Sequence, residues 1–165
     1  MNNKTIIFLC VLLFSFQGFS QTIKSKSYSF MLGTLLSTEV PFKDVYEIED
    51  LSAFQLLDAR EKEEFEVSHL KNAIWVGYED FNLDRLENLD KQKPTLVYCS
   101  VGYRSEKITQ KLLNEGFNQV YNLYGGIFEW ANASKPVFQK TKQVKHVHAY
   151  DKVWGVWLNI DEKVY

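Results

Sequence analysis

The run Thr95-Leu96-Val97-Tyr98-Cys99, continued by Ser100-Val101-Gly102-Tyr103-Arg104-Ser105, constrains the fold of this chain more than any other stretch. Its apolar, β-prone first half, opened by Pro94, reads as a strand buried on both faces, with the proline at a tolerated first position. A loop containing a glycine follows. From Ser105 to Glu115, Ile108, Leu112 and Leu113 recur at helical spacing, and Gly116 is a helix stop. Strand, tight loop and helix in direct succession are the building unit of a parallel sheet. The unit also has a chemical consequence. It sets one sulfur among backbone N–H groups at a helix N-terminus, where a thiolate is favoured and an anion can be held above it.

The rest of the chain repeats this alternation. Ala53 to Asp58 reads as a buried strand, Glu61 to Ser68 as a short acidic helix with Phe65 and Val67 facing in, and Ala73 to Val76 as another strand. Leu83, Leu86 and Leu89, three residues apart, predict a short amphipathic helix. Gln119 to Leu123 is a further strand, and Gly125-Gly126 turns into a helix over Ile127 to Ala133. Val40-Pro41-Phe42 is a short extended piece, and Asp44 to Leu51 is a helical turn or loop. The expected fold is α/β, a parallel sheet of about five strands flanked by helices on both faces.

The ends differ in character. Residues 1–20 carry Lys4, the apolar stretch Ile6 to Phe16, and Gly18-Phe19-Ser20, the pattern of a secretory signal peptide too short to span a bilayer. Cleavage after Ser20 would export the chain to a periplasmic or extracellular space without stable membrane insertion. It would also remove Cys10, one of only two cysteines, leaving Cys99 unable to form an internal disulfide. Residues 21–39 are expected to form an N-terminal extension, and 40–138 the main domain. Residues 139–165, with Tyr150, Trp154 and Trp157, are too aromatic for disorder and are expected to pack on that domain. A net charge of −2 gives no basis for nucleic-acid binding.

Parallel strands place their carboxyl ends on one edge, where ligands bind in such sheets. Asp58, Arg60 and Cys99 therefore share that edge and are within reach of one pocket. The combination Leu57-Asp58-Ala59-Arg60, Glu64-Phe65, Ser68-His69-Leu70 with Asn72-Ala73-Ile74, the Cys99 loop, and Leu123-Tyr124-Gly125-Gly126-Ile127 with Trp130 resembles the rhodanese-like (sulfurtransferase) family. The resemblance covers about Val40 to Val137 and implies a Cys99 thiolate that takes a sulfane sulfur from a donor, forms a persulfide and passes the sulfur to a thiol, cyanide or a protein. It implies no cofactor and no metal. Ser100, Val101, Gly102, Tyr103, Arg104 and Ser105 would form the anion-binding loop, with Gly102 letting the backbone curl toward the sulfur. Arg104 is expected to lock the loop through a carboxylate whose identity the residues leave open.

Other readings stand beside this one. Asp58 and Arg60 serve either the site or the architecture, His69 reads as a structural hydrogen-bonding residue, and Trp130 as core. His146 and His148 alternate as in a strand, but two histidines do not make a metal site. Ser100 and Val101 stand where thiosulfate-using members often carry a cation. The expected donor is therefore a persulfide or polysulfide more than thiosulfate. Phosphatases sharing this fold have a loop one residue longer than the four residues between Cys99 and Arg104. The alternative of another class is a non-catalytic binding or redox-sensing module of the cell envelope.

Overall fold

Four consecutive buried residues in Thr95–Tyr98 (β4) set the centre of the molecule. In the computed structural model, which describes residues 23–37 and 39–165, this strand lies in a five-stranded, wholly parallel sheet. The other strands are β1 (Phe42–Asp44), β2 (Gln55–Asp58), β3 (Ile74–Trp75) and β5 (Val120–Tyr124). The order across the sheet is β1-β5-β4-β2-β3. The leader predicted over residues 1–20 lies outside the described residues.

Side-chain alternation divides the core. Leu56, Leu96, Tyr98 and Leu123 meet Tyr28 and Leu32 of helix α1 (Lys26–Leu35) and Ile127, Phe128 and Trp130 of a helix over Gly126–Asn132. Leu57, Val97 and Val120 point the other way, against Ile108 and Leu112 of a helix over Tyr103–Asn114. With α2 over Lys62–Val67, these last two helices are α3 (Tyr103–Asn114) and α4 (Gly126–Asn132). Helices thus cover both faces, as expected for a parallel sheet.

Helix α3 starts two residues before the predicted Ser105, because Gly102, at φ +111°, lets the chain turn directly into the helix. Arg104 therefore sits in its first turn. The far end is a Schellman closure: the Gly116 amide reaches the Leu113 carbonyl (3.1 Å) and the Phe117 amide that of Leu112 (3.1 Å). In α2 the inward residue is Glu64, while Phe65 and Val67 are only half-buried, which corrects the predicted facing. The helix predicted through Leu89 is a single 3-10 turn over Leu83–Leu86. The segment after Asp44 forms two such turns, Val45–Glu47 and Leu51–Ala53, capped by Asp44 and Asp50.

Beyond α4 the chain forms an antiparallel hairpin of β6 (Val137–Gln139) and β7 (Lys142–Val144), straddling position 139. A parallel pair of β8 (Val147–His148) and β9 (Lys163–Val164) follows, with a 3-10 turn over Trp154–Trp157 between them. Val147, Ala149 and Leu158 are fully buried in the same core as α1 and α4.

Candidate functional site

Strand β4 ends opposite Asp58 of β2, in the register Asp58–Tyr98, so Cys99 emerges at the carboxyl edge. Its side chain is buried at 1% exposure. The loop curls round it: the Gly102 amide donates to Cys99 Sγ at 3.1 Å. The Gly102 carbonyl accepts from the Glu106 amide (3.0 Å) and from Asn122 Nδ2 (3.0 Å), while Ser105 Oγ donates to Asn122 Oδ1 (2.7 Å). Asn122 of β5 thereby anchors the curl from the neighbouring strand.

The opening of α4 holds the same loop from the other side. The Ile127 amide donates to the Cys99 carbonyl (2.9 Å) and the Phe128 amide to that of Ser100 (3.0 Å). Gly126 stands between them at φ +58°, and a Cβ there would collide with both carbonyl oxygens. This close approach is what the Gly125-Gly126 pair provides. Tyr28 of α1 adds a further tie, donating its hydroxyl to the Gly125 carbonyl at 2.9 Å.

Arg104 finds its carboxylate in Glu64. Nη1 lies 2.7 Å from Oε2 and Nη2 3.0 Å from Oε1, a bidentate pair. Ser100 Oγ donates to Glu64 Oε1 (2.7 Å) and accepts from Arg104 Nη2 (3.0 Å). Burial pushes the Glu64 carboxyl upward, but hydrogen bonding and charge from Arg104, with help from Arg60 and Ser100, hold it below its ordinary value. For Arg104, burial works against the charge. Hydrogen bonding to Glu64, with the negative charge of that carboxylate, outweighs it and keeps the guanidinium protonated. The ring of Tyr150, from the C-terminal segment, lies over this guanidinium at 5.2 Å.

The remaining expected residues fall around this centre. Asp58 and Arg60 share the sheet edge with Cys99, but they are fully buried and spend themselves on each other: Arg60 Nη2 sits 2.6 Å from Asp58 Oδ2 and Nε 2.9 Å from Oδ1. Arg60 Nη2 also donates to the Ser68 carbonyl (2.6 Å). This is architecture under the site, one of the two roles that the sequence leaves open for the pair. His69 has Nδ1 2.9 Å from the Leu70 carbonyl and stacks on Phe65 at 4.4 Å. Val101 is buried in the core on the α1 side, whereas Tyr103 projects outward beneath Lys107. His148 Nδ1 accepts from the Tyr150 amide (3.0 Å), and His146 lies 4.0 Å from Glu162. Among the described residues no group of three His, Cys, Asp or Glu is placed to hold a metal ion, and no helix is long and apolar enough to cross a membrane. A surface hollow of about 610 Å³ between Phe54, Trp130, Lys135 and Phe138 does not touch the Cys99 loop.

Sequence reasoning missed the roles of Glu64, Asn122, Tyr28 and Tyr150. Glu64 is one of four glutamates between Glu61 and Glu66, and only the Glu64-Phe65 pair of the family resemblance singles it out.

A wholly parallel sheet, covered by helices on both faces, that delivers a buried thiol to the loop before a helix start defines a class of α/β protein. Residues 42–133 match the family model described as Rhodanese-like domain, and the chain belongs to that family. Among similar proteins, the thiosulfate sulfurtransferase GlpE of Coxiella burnetii is 29% identical over 96 residues, 58% of this chain and 89% of that protein. A tRNA uridine(34) hydroxylase of Yersinia pestis is 33% identical over 111 residues, 64% of this chain but only 31% of the relative. Of solved structures, a thiosulfate sulfurtransferase from Pseudomonas aeruginosa superposes with a TM-score of 0.56 at 25% identity, covering 70% of this chain and 23% of that one. The rhodanese-like domain of Anabaena sp. Alr3790 protein gives 0.54 at 25%, covering 59% and 78%.

Proposed function

We propose that this protein is a sulfurtransferase that carries sulfane sulfur on Cys99. The observation that carries the reading is the curl of the loop round Sγ, with the Gly102 amide at 3.1 Å. In the first half-reaction the Cys99 thiolate attacks the outer sulfur of a donor. The donor S–S bond breaks, and the leaving group departs with the bonding electrons as sulfite from thiosulfate or as a thiolate from a persulfide. Cys99 is then a persulfide. In the second half-reaction a thiol, cyanide or a protein nucleophile attacks the outer sulfur and regenerates the thiolate. Backbone N–H groups and the α3 N-terminus stabilise the negative charge on sulfur in both resting and loaded forms.

The loop is prepared for this in advance. Its carbonyls are tied to α4, its serines to Glu64 and Asn122, and Arg104 to Glu64. Little reorganisation is then needed when charge moves between the two sulfurs. Export with loss of residues 1–20 belongs to the same proposal and rests on the leader pattern. It implies an acceptor outside the cytoplasm.

Intact-mass spectrometry tests the reading. Reduced protein treated with thiosulfate or a polysulfide should gain about 32 Da, one sulfur atom, and cyanide should remove it as thiocyanate. Cys99→Ser should gain nothing. A folded, reduced protein that takes up no sulfur from any donor would refute the reading and leave the non-catalytic module.

A further inference from the structure

The family match ends at residue 133, yet the chain beyond it returns to the Cys99 loop. Val147, Ala149 and Leu158 share one buried core with Val101 of the loop and Leu36 of the N-terminal segment. Trp157 stacks on Tyr28 (5.5 Å between centroids, 16° between planes), and Tyr28 in turn donates to the Gly125 carbonyl beside the α4 amides that hold the loop. Tyr150 itself is fixed from both sides. The Ala149 amide donates to the Val164 carbonyl (2.7 Å) and the Tyr150 amide to His148 Nδ1 (3.0 Å). Its backbone lies in the left-handed region at φ +66°, a conformation a tyrosine adopts only when its surroundings impose it. Tyr150 is 47% exposed, and its ring lies 5.2 Å from the Arg104 guanidinium.

The consequence is electrostatic. Arg104 is tied to the residue that follows Cys99: its Nη2 donates to Ser100 Oγ at 3.0 Å. Its terminal nitrogens are committed to Glu64 and Ser100, Glu61 stands 3.5 Å from Nη1, and Tyr150 takes a face. Ser100 and Val101 contribute no charge. Among the described residues of the Cys99 loop, a donor therefore meets the Gly102 amide but no cationic side chain left unpaired. A dianion gains little there, whereas a sulfur terminus with one charge or none loses little.

Resting on the sulfurtransferase reading, we propose that Tyr150 is a specificity-determining residue: by capping Arg104 it makes the site select persulfide or polysulfide donors over the thiosulfate dianion. Removing the ring uncovers the guanidinium, whose positive charge then draws an anion toward the loop more strongly.

The test uses the full chain and its Tyr150→Ala, Tyr150→Gly and Tyr150→Phe variants. Glycine suits the positive φ and guards against a folding defect in the alanine variant. Two ratios are read: Cys99 alkylation by iodoacetate against iodoacetamide, and Cys99 sulfur loading from thiosulfate against an uncharged-bodied alkyl persulfide. Loss of the ring should raise both ratios about fivefold, and phenylalanine should restore the wild-type values. Unchanged ratios in folded Ala and Gly variants would overturn the proposal, as would a Phe variant that behaves like Ala. Alkylation reads the cap without any sulfur transfer. A raised alkylation ratio with no sulfur uptake in any variant would therefore sink the sulfurtransferase reading and, with it, the donor selection, while the cap itself stood.

Discussion

Replacing Glu64 with glutamine tests the link between α2 and the Cys99 loop. The side chains of Glu64 and Arg104 are 3% and 13% exposed, so the pair is close to fully desolvated. Removing one partner of a buried pair costs about 3–5 kcal/mol, because the surviving charge is left unpaired. Three features reduce that here. Glutamine keeps one acceptor oxygen, Glu61 lies 3.5 Å from Arg104 Nη1, and the Tyr150 ring still faces the guanidinium. The expected loss is then about 2–3 kcal/mol at pH 7, or roughly 4–12 °C in Tm for a domain of this size. Urea unfolding followed by tryptophan fluorescence measures it. The pH dependence gives a second handle with a definite sign. A carboxyl held below its ordinary value contributes stability that is complete above its unfolded pKa, about 4.3, and is lost as pH falls through the depressed folded value. The gap between wild type and Glu64→Gln should therefore be constant from pH 7 to about 5 and close below about 4. A loss under about 0.5 kcal/mol at pH 7, or a gap that widens in acid, would refute the argument.

Other perturbations follow from the same geometry. Gly126→Ala drives a Cβ into the Cys99 and Ser100 carbonyl oxygens at a positive φ, so it should cost about 2–4 kcal/mol by urea unfolding and slow sulfur uptake as the loop shifts; an unchanged urea midpoint would contradict the clash. Asp58→Asn leaves the fully buried Arg60 without its anion and should cost about 3–5 kcal/mol, seen as a lower Tm or as aggregation, whereas a loss below about 1 kcal/mol would mean that the Ser68 carbonyl and the Tyr98 ring suffice for that charge. Trp157→Ala removes the stack on Tyr28 and should raise the rate of Cys99 alkylation several-fold with little change in the iodoacetate-to-iodoacetamide ratio. A rate equal to wild type would show that the C-terminal segment does not help to close the loop.

Much of the sheet could be read from the chain because its signals are local. The apolar runs in β2, β4 and β5, the helical spacing of Ile108 and Leu112, and Gly116 as a stop all fall close to where they were expected. Boundaries moved where a neighbour intervened. Gly102 turned early enough to bring Arg104 into α3, and the leucines after Phe81 close only a 3-10 turn. The inward side of α2 was misjudged because burial normally excludes a glutamate, and only a partner 40 residues away reverses that preference.

The same distinction separates the parts of the site. The residues alone determined that a thiol ends a buried strand, that a glycine loop and a helix N-terminus follow it, and that Asp58 lies on the same sheet edge. Strand direction and backbone conformation are sufficient for these, and both are set by neighbours in sequence. Only the tertiary structure decided that Glu64 neutralises Arg104, that Asn122 anchors the curl at Gly102, and that Tyr150 closes over the guanidinium. Each of those choices joins residues 20 to 46 positions apart. Each depends on which charges lose their water together as the core forms, a property of the assembled fold that no short window of sequence contains.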